Sequence, residues 1–544
     1  MKSAVFAAMM AFAVSSHGAS LQTDQFVARG EGIQIDAIQA WPLLHNGRIK
    51  PFETLAQEIS LFVTGKYRFK GLHPLQFFLA TMTSSQVELL EVIEVRSPDL
   101  RKKLGLENDR RHFSASELKK SGLPELATPL AEKEKNNKRQ LTELERKTLE
   151  AMEQTWLLEQ VASGGVLMSA MNPRLQSANH ATDQSTDAEW VPLMQALLKA
   201  ADAGSVFEFE KTAGEIQTKL ERQTWPADVR NQVAHVGLEI IYNHFKPFRW
   251  ACWLFLIFAI MLLNEHSRRI PESARRLLLL LPICFLIAGF GLRITITGFA
   301  PVTNMYGTMM WVSLGVAIFG WIFFCIYRNQ RMLSLLYFGS FLILLLTEQI
   351  PLVISPDLDP IVAVLRSNLW LTIHVLTITI SYAAFTIAML LGNATMIRFI
   401  LGSEMREWIQ TFAHYCYRAV QLGVFLLSIG IILGGVWADY SWGRFWGWDP
   451  KETWALIADL GFIVLLHARL IGWVSPFRLL MFAPLAYLLV VMAWYGVNFI
   501  LATGLHSYGF SSGGAQVVSA FLGLQVLLFV AAAVKYWMGA KKAA

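Results

Sequence analysis

Five of the chain's eighteen tryptophans, Trp437, Trp442, Trp446, Trp448 and Trp454, stand within eighteen residues, where even scatter through 544 residues would leave about 0.6. Gly443 and Gly447 punctuate the segment WGRFWGWDPKETW, so its backbone can turn and a flat ligand can come close. The indoles add apolar stacking faces that have little conformational freedom to lose. Such a surface suits a broad planar ligand such as a porphyrin. It also suits an interfacial aromatic belt, because tryptophan collects at headgroup level. A belt, however, rings many helix ends, whereas these tryptophans share one loop.

Histidines supply the other candidate chemistry. His374 lies four residues after Trp370, and His506 lies in GLHSYGF. Each can be a hydrogen-bonded structural imidazole, but two of them flanking an aromatic platform also offer the axial pair that a heme iron accepts. His467 follows Trp454 by thirteen residues, about 20 Å along a helix. That depth lies inside a bilayer, where an ionisable side chain is either a functional residue or a packed core histidine. Asp459 reads as sharing a similar helical face. A six-coordinate iron at His467 needs a second ligand, and His244, His266 and His414 read as edge or loop positions. Either one of these lies deeper or a partner chain supplies the ligand.

The elements that must hold these residues are membrane helices. Hydrophobic residues make up 54% of the chain and charged ones only 16%, against roughly 25% charged in ordinary soluble proteins. Nine apolar segments follow residue 246, near 248–263, 277–298, 305–326, 333–354, 369–391, 419–438, 454–473, 479–501 and 515–537. Alternate connections carry Arg268, Arg269, Arg275 and Arg276, then Arg328 with Arg331, Arg398 with Arg406, Arg478, and Lys541 with Lys542. The positive-inside rule turns these toward the cytoplasm, so the tryptophan loop and both flanking histidines are expected outside. The net charge of +6 is explained by these short basic loops, and nucleic acid is not expected as a partner.

Before the spans, residues 1–20 place Lys2 ahead of the apolar run Ala4 to Val14 and end in small residues, the pattern of a cleaved secretory signal. Residues 21–246 are then an exported, mostly helical domain, and 247–544 an all-α polytopic bundle. Within the exported domain, Ala131 to Glu159 reads as a solvated amphipathic helix, and WPLLHNGRIKPFETLAQE as a small docking element. The cysteines, Cys252, Cys284, Cys325 and Cys416, are too dispersed for a disulfide framework or zinc site. No C-x-x-C-H occurs, so the chain does not read as a c-type cytochrome.

Trp442 to Ile457, WGRFWGWDPKETWALI, resembles the WWD segment of heme-handling proteins in cytochrome c maturation. The DPKETW ending is most similar to the CcsA branch of system II; the heme lyase branch of system I continues DPVEN instead. The resemblance extends over about 277–514, through GFAPVTNMY, NLWLTIHV around His374, LLHARL around His467 and GLHSYGF around His506. It implies a platform of Trp442, Gly443, Trp446, Gly447, Trp448, Asp449 and Trp454 that holds heme b as cargo. It further implies that His374 and His506 ligate iron outside, and that His467 receives heme in the membrane of the cell's inner, cytoplasmic membrane system.

Heme propionates are anionic, so Arg444 and Lys451 are candidate contacts, while Arg293 reads more simply as interfacial snorkelling. Asp449 and Glu452 read first as caps of the helix after Pro450. The resemblance also implies delivery of heme to the CxxCH segment of apocytochrome c, as part of a holocytochrome c synthase complex with a CcsB/ResB-like membrane subunit. Residues 1–246 do not resemble that subunit. Two rival classes are a solute transporter, which calls for broken helices and mid-membrane polar groups, and a cytochrome b-type carrier, which calls for histidines paired at matched depth.

Overall fold

The computed structural model describes residues 22–136, 141–172, 184–227, 229–264, 269–300, 302, 304–349, 354–358, 368–402, 406–501 and 514–543. The chain divides into two compact units, Met1–Phe245 and Lys246–Ala544. The expected secretory signal lies outside the described residues.

The first unit is mostly helical, with two small antiparallel ladders. Strand β1 (Pro42–His45) pairs with β2 (Arg48–Pro51), Leu43 opposite Lys50. Asn46 and Gly47 both take left-handed backbone, φ 51° and 72°, as the favoured two-residue hairpin turn demands. Helix α1 (Phe52–Thr64) follows directly. The segment read as a docking element is therefore a hairpin and helix at the centre of the unit, with Trp41 stacked on Phe52 and both fully buried.

Helix α2 (Pro74–Thr83) is capped by His73, whose Nδ1 accepts from the Leu75 amide. A second ladder joins β3 (Ile93–Glu94) to β4 (His112–Phe113). The stretch read as one wet helix is two helices, α3 (Leu123–Asn136) and α4 (Glu143–Ala162). Thr142 and Glu145 form a capping box at the start of α4, which buries Ala151, Leu158 and Val161 in the unit's core. Helix α5 (Val236–Phe245) closes the unit and carries Glu239 and His244.

Charged side chains of the hairpin point inward. Arg48 grips Glu239 with two hydrogen bonds, 2.6 and 3.0 Å, at about 2% exposure on both sides. Lys50 donates to Glu58 at 2.7 and 2.6 Å. Glu53 receives His244 at 3.0 Å and lies 3.4 Å from His73. Burial pushes the Glu53 carboxyl up, but the hydrogen bonds from His73 and His244 outweigh it and hold the group below its ordinary value.

Among the described residues nine helices are long and apolar enough to cross a membrane, as the apolar runs predict. They are carried by α6 (Pro247–Leu263), α7 (Glu272–Thr297), α8 (Met305–Tyr327), α9 (Gln330–Gln349), α10 (Asn368–Ile400), α11 (Arg406–Trp442), α12 (Pro450–Leu470), α13 (Pro476–Val491) and α14 (Ala515–Ala543). A π-helical stretch, Met492–Leu501, continues α13. Hydroxyls tie the first spans together through main-chain carbonyls: Tyr337 donates to Leu279 O at 2.6 Å and Ser334 to Ala259 O at 2.7 Å. The most extensive pairing joins α10 to α11. Its seam uses small residues, since Gly430 lets Ile378 come close and Gly434 admits the His374 ring.

Candidate functional site

His374 sits in the second turn of α10. Its Nδ1 is 2.9 Å from the Gly430 carbonyl of α11, so this nitrogen carries the proton and donates. The ring's lone pair is then on Nε2, the tautomer that a metal-ligating imidazole needs. A side chain at 434 would collide with the ring, so the close approach requires glycine there. Trp437, one turn further along α11, lies 5.9 Å from the His374 ring centroid. Around the buried Trp437 pack Phe299, Trp370, Val375 and Trp442, and the Trp437 and Trp442 rings are 5.2 Å apart. One bundle end thus gathers the starts or ends of α7, α10 and α11 around a histidine.

The loop after α11 reverses at Gly443, φ 68°, and again at Trp448, whose φ of 55° is a strained backbone for a bulky residue. Trp446 and Trp448 form a separate edge-to-face pair at 5.8 Å, with Trp448 70% exposed. Trp454, in α12, is partly buried. The ring contacts of the described residues pair Trp437 with Trp442 and Trp446 with Trp448, and Trp454 stands on α12.

Asp449 is occupied as the cap of α12. Its carboxylate accepts from the Lys451 amide at 2.9 Å, and Glu452 returns to the Asp449 and Gly447 amides at 3.2 and 2.8 Å. Arg444 lies over the Trp442 ring at 5.8 Å and 3.5 Å from Glu452. Lys451 donates to Asn498 at 3.1 Å on the π-helical stretch.

Two expectations are corrected. Arg293 does not snorkel: it is 3% exposed, donates to the Pro356 carbonyl at 3.0 Å and stacks over Tyr306. With Asn304, which donates to the Ser355 and Asp357 carbonyls, it clamps the connection ahead of α10. Asp459 does not share the face of His467: Asp459 is 5% exposed and turned toward α11, whereas His467 is exposed. Eight residues advance a helix by about 80° beyond two full turns, enough to separate them.

His467 stands in the last turn of α12, at the opposite end from the tryptophan loop. Its Nδ1 is 2.9 Å from the Ile463 carbonyl, which again puts the lone pair on Nε2. His506 lies outside the described residues. Gly430 and Gly434 escape a search for reactive side chains, although their four-residue spacing is the sign of close helix packing.

Together these features define a polytopic helical membrane protein with a histidine and tryptophan site at one bundle end. A family model described as cytochrome C assembly protein matches residues 302–506, which run from α8 past the π-helical stretch. The chain is 31% identical over 298 residues to the cytochrome c biogenesis protein CcsA of Prochlorococcus marinus (strain AS9601), covering 47% of this chain and 94% of that protein. It is 29% identical over 323 residues to CcsA of Cyanophora paradoxa, covering 50% and 98%. The chain belongs to the CcsA family of cytochrome c biogenesis proteins.

Protein NrfI of Wolinella succinogenes is 28% identical over 499 residues, 85% of this chain. That match runs into the first unit, because the second is little more than half the chain. This chain spans 53% of the length of NrfI.

Proposed function

We propose that this chain carries heme b, as cargo, through the membrane and presents it at the tryptophan loop for attachment to apocytochrome c. The observation that supports this most is shared by two histidines. His374 and His467 each have Nδ1–H committed to a backbone carbonyl, so each presents Nε2 as the electron-pair donor that iron requires. On this reading His467 receives heme near one end of α12, and His374 with His506 holds it at the other side, beside Trp437 and Trp442. Arg444, already stacked on Trp442, is the nearer candidate for a propionate; Lys451 must leave Asn498 to reach one.

Attachment needs no oxidant. Each cysteine S–H of the incoming CxxCH adds across a heme vinyl C=C, forming one S–C bond and moving the thiol hydrogen to the neighbouring carbon. The chain's part is to orient the macrocycle and exclude water. Because His467 is exposed on a helix with few buried neighbours, a CcsB/ResB-like subunit is the proposed source of its second iron ligand. The proposed setting is the inner membrane, with the first unit and the tryptophan loop outside and the C-terminus in the cytoplasm.

Absorption spectra of the purified protein test the reading. Wild type should carry low-spin heme, and His374→Ala and His506→Ala should each lose or alter that signature. A heme-free wild type, or unchanged low-spin spectra in both variants, overturns it.

A further inference from the structure

Asp459 lies nine residues beyond Pro450 and eight before His467, about 13 and 12 Å along α12. Within about 30 Å of hydrocarbon this is the middle of the membrane. It is 5% exposed. Ser428 of α11 donates to Oδ2 at 2.7 Å, and Oδ1 is buried with no hydrogen-bond partner among the described residues. Leu427, Ala458 and Phe462 belong to the apolar cluster that surrounds this part of the bundle.

We propose that Asp459 and Ser428 form a proton-binding site in the middle of the membrane domain, with a proton as the ligand of the carboxyl while α11 and α12 are packed together. A carboxylate in hydrocarbon needs a cation, a set of donors or a proton. The donor set is one hydroxyl. Two side chains also fall short of the oxygen cage a metal ion takes.

Among the described residues no cation is in position. On α11 the ionisable side chains nearest Ser428, Arg418 and Asp439, are ten and eleven residues away, roughly 15 Å along the helix; Tyr417, Cys416, Tyr415 and His414 lie beyond Arg418, toward Arg406 and Glu407. On α12 itself Lys451 and Glu452 stand in the first turn, His467 and Arg469 in the last. On α13 Arg478 is in the first turn and the Tyr487 hydroxyl is taken by Thr386. Tyr495 of the π-helical stretch stacks on Phe499.

The site joins the helix whose Gly430 carbonyl orients His374 to the helix that carries His467. Loading and unloading the proton therefore acts on the contact between the two histidine-bearing arrangements.

Infrared spectroscopy of the full chain in lipid nanodiscs tests this directly. At neutral pH a protonated-carboxyl C=O band should be present, be lost in Asp459→Asn, and move to higher wavenumber in Ser428→Ala, which removes a hydrogen bond. An identical band set in wild type and Asp459→Asn means an ionised Asp459 and overturns the proposal. Should Asp459→Asn not fold, Ser428→Ala decides: a displaced band supports the site, and an unmoved one overturns it.

Discussion

The two units bury polar groups in different ways. In the first, charge meets charge at Arg48 with Glu239 and Lys50 with Glu58, and Glu53 is held between two imidazoles. In the second, polar side chains commonly lean on main-chain carbonyls, as His374 does on Gly430, Arg293 on Pro356 and Tyr337 on Leu279. A carbonyl accepts a hydrogen bond without adding a second charge to desolvate, which suits an apolar surround. It also fixes a tautomer permanently, because the acceptor cannot titrate.

Breaking the comparison at its strongest point means removing one charge of the first unit's buried pair. Arg48→Met should destabilise that unit by about 3–5 kcal/mol, because Glu239 stays buried and unpaired; replacing both residues with apolar ones should recover most of the loss. Thermal unfolding followed by protease sensitivity of the first unit reads both.

Acid strikes the same network. His45 lies 4.0 Å from Glu58, yet burial first, then Lys50 and Arg48, push its pKa down to about 4 from 6.5. The native ring stays neutral while the unfolded chain takes a proton below about 6.5, so stability is full above that pH and falls as pH drops toward 4. The total loss is about 3 kcal/mol, and His45→Gln should flatten the melting temperature across that window.

In the second unit, Gly434→Leu should cost about 1–3 kcal/mol by overpacking and push His374 off the Gly430 carbonyl. The low-spin heme spectrum should be lost, with Gly434→Ala intermediate; an unaltered spectrum in Gly434→Leu shows that the carbonyl contact does not set the ligand. The smallest effect is expected at the cap of α12, where Asp449→Ala should cost about 1 kcal/mol, visible as faster amide exchange at Lys451 and Glu452.

How much of this the sequence announced depends on what each feature is made of. The spans were legible because hydrocarbon demands long apolar runs, and all nine have a helix. The extension of α11 back to Arg406 was not, because Arg406 to Arg418 interleaves charged and polar residues with the apolar ones that join the bundle core, Phe412, Ala413, Tyr415 and Cys416, so no continuous apolar run announces it. The hairpin had a signal in Asn46 and Gly47 that the surrounding charges obscured, since Arg48 and Lys50 look solvated until their buried partners appear. At the site, tryptophans and histidines were conspicuous by type. The Gly430 carbonyl was invisible, because every residue owns a carbonyl and only packing selects one. Arg293 misled for the converse reason: a long cation near a helix end usually reaches for water, and here Pro356 and Tyr306 hold it inside.

At 37 residues α11 is long, about 55 Å, against about 30 Å of hydrocarbon. The excess, roughly 25 Å, must be taken up by tilt or by projection beyond the lipid tails. Bilayer thickness therefore becomes a control variable for this protein. Thicker membranes draw the helix upright and thinner ones lean it over. Either change alters how far the Trp442 end stands from the headgroups.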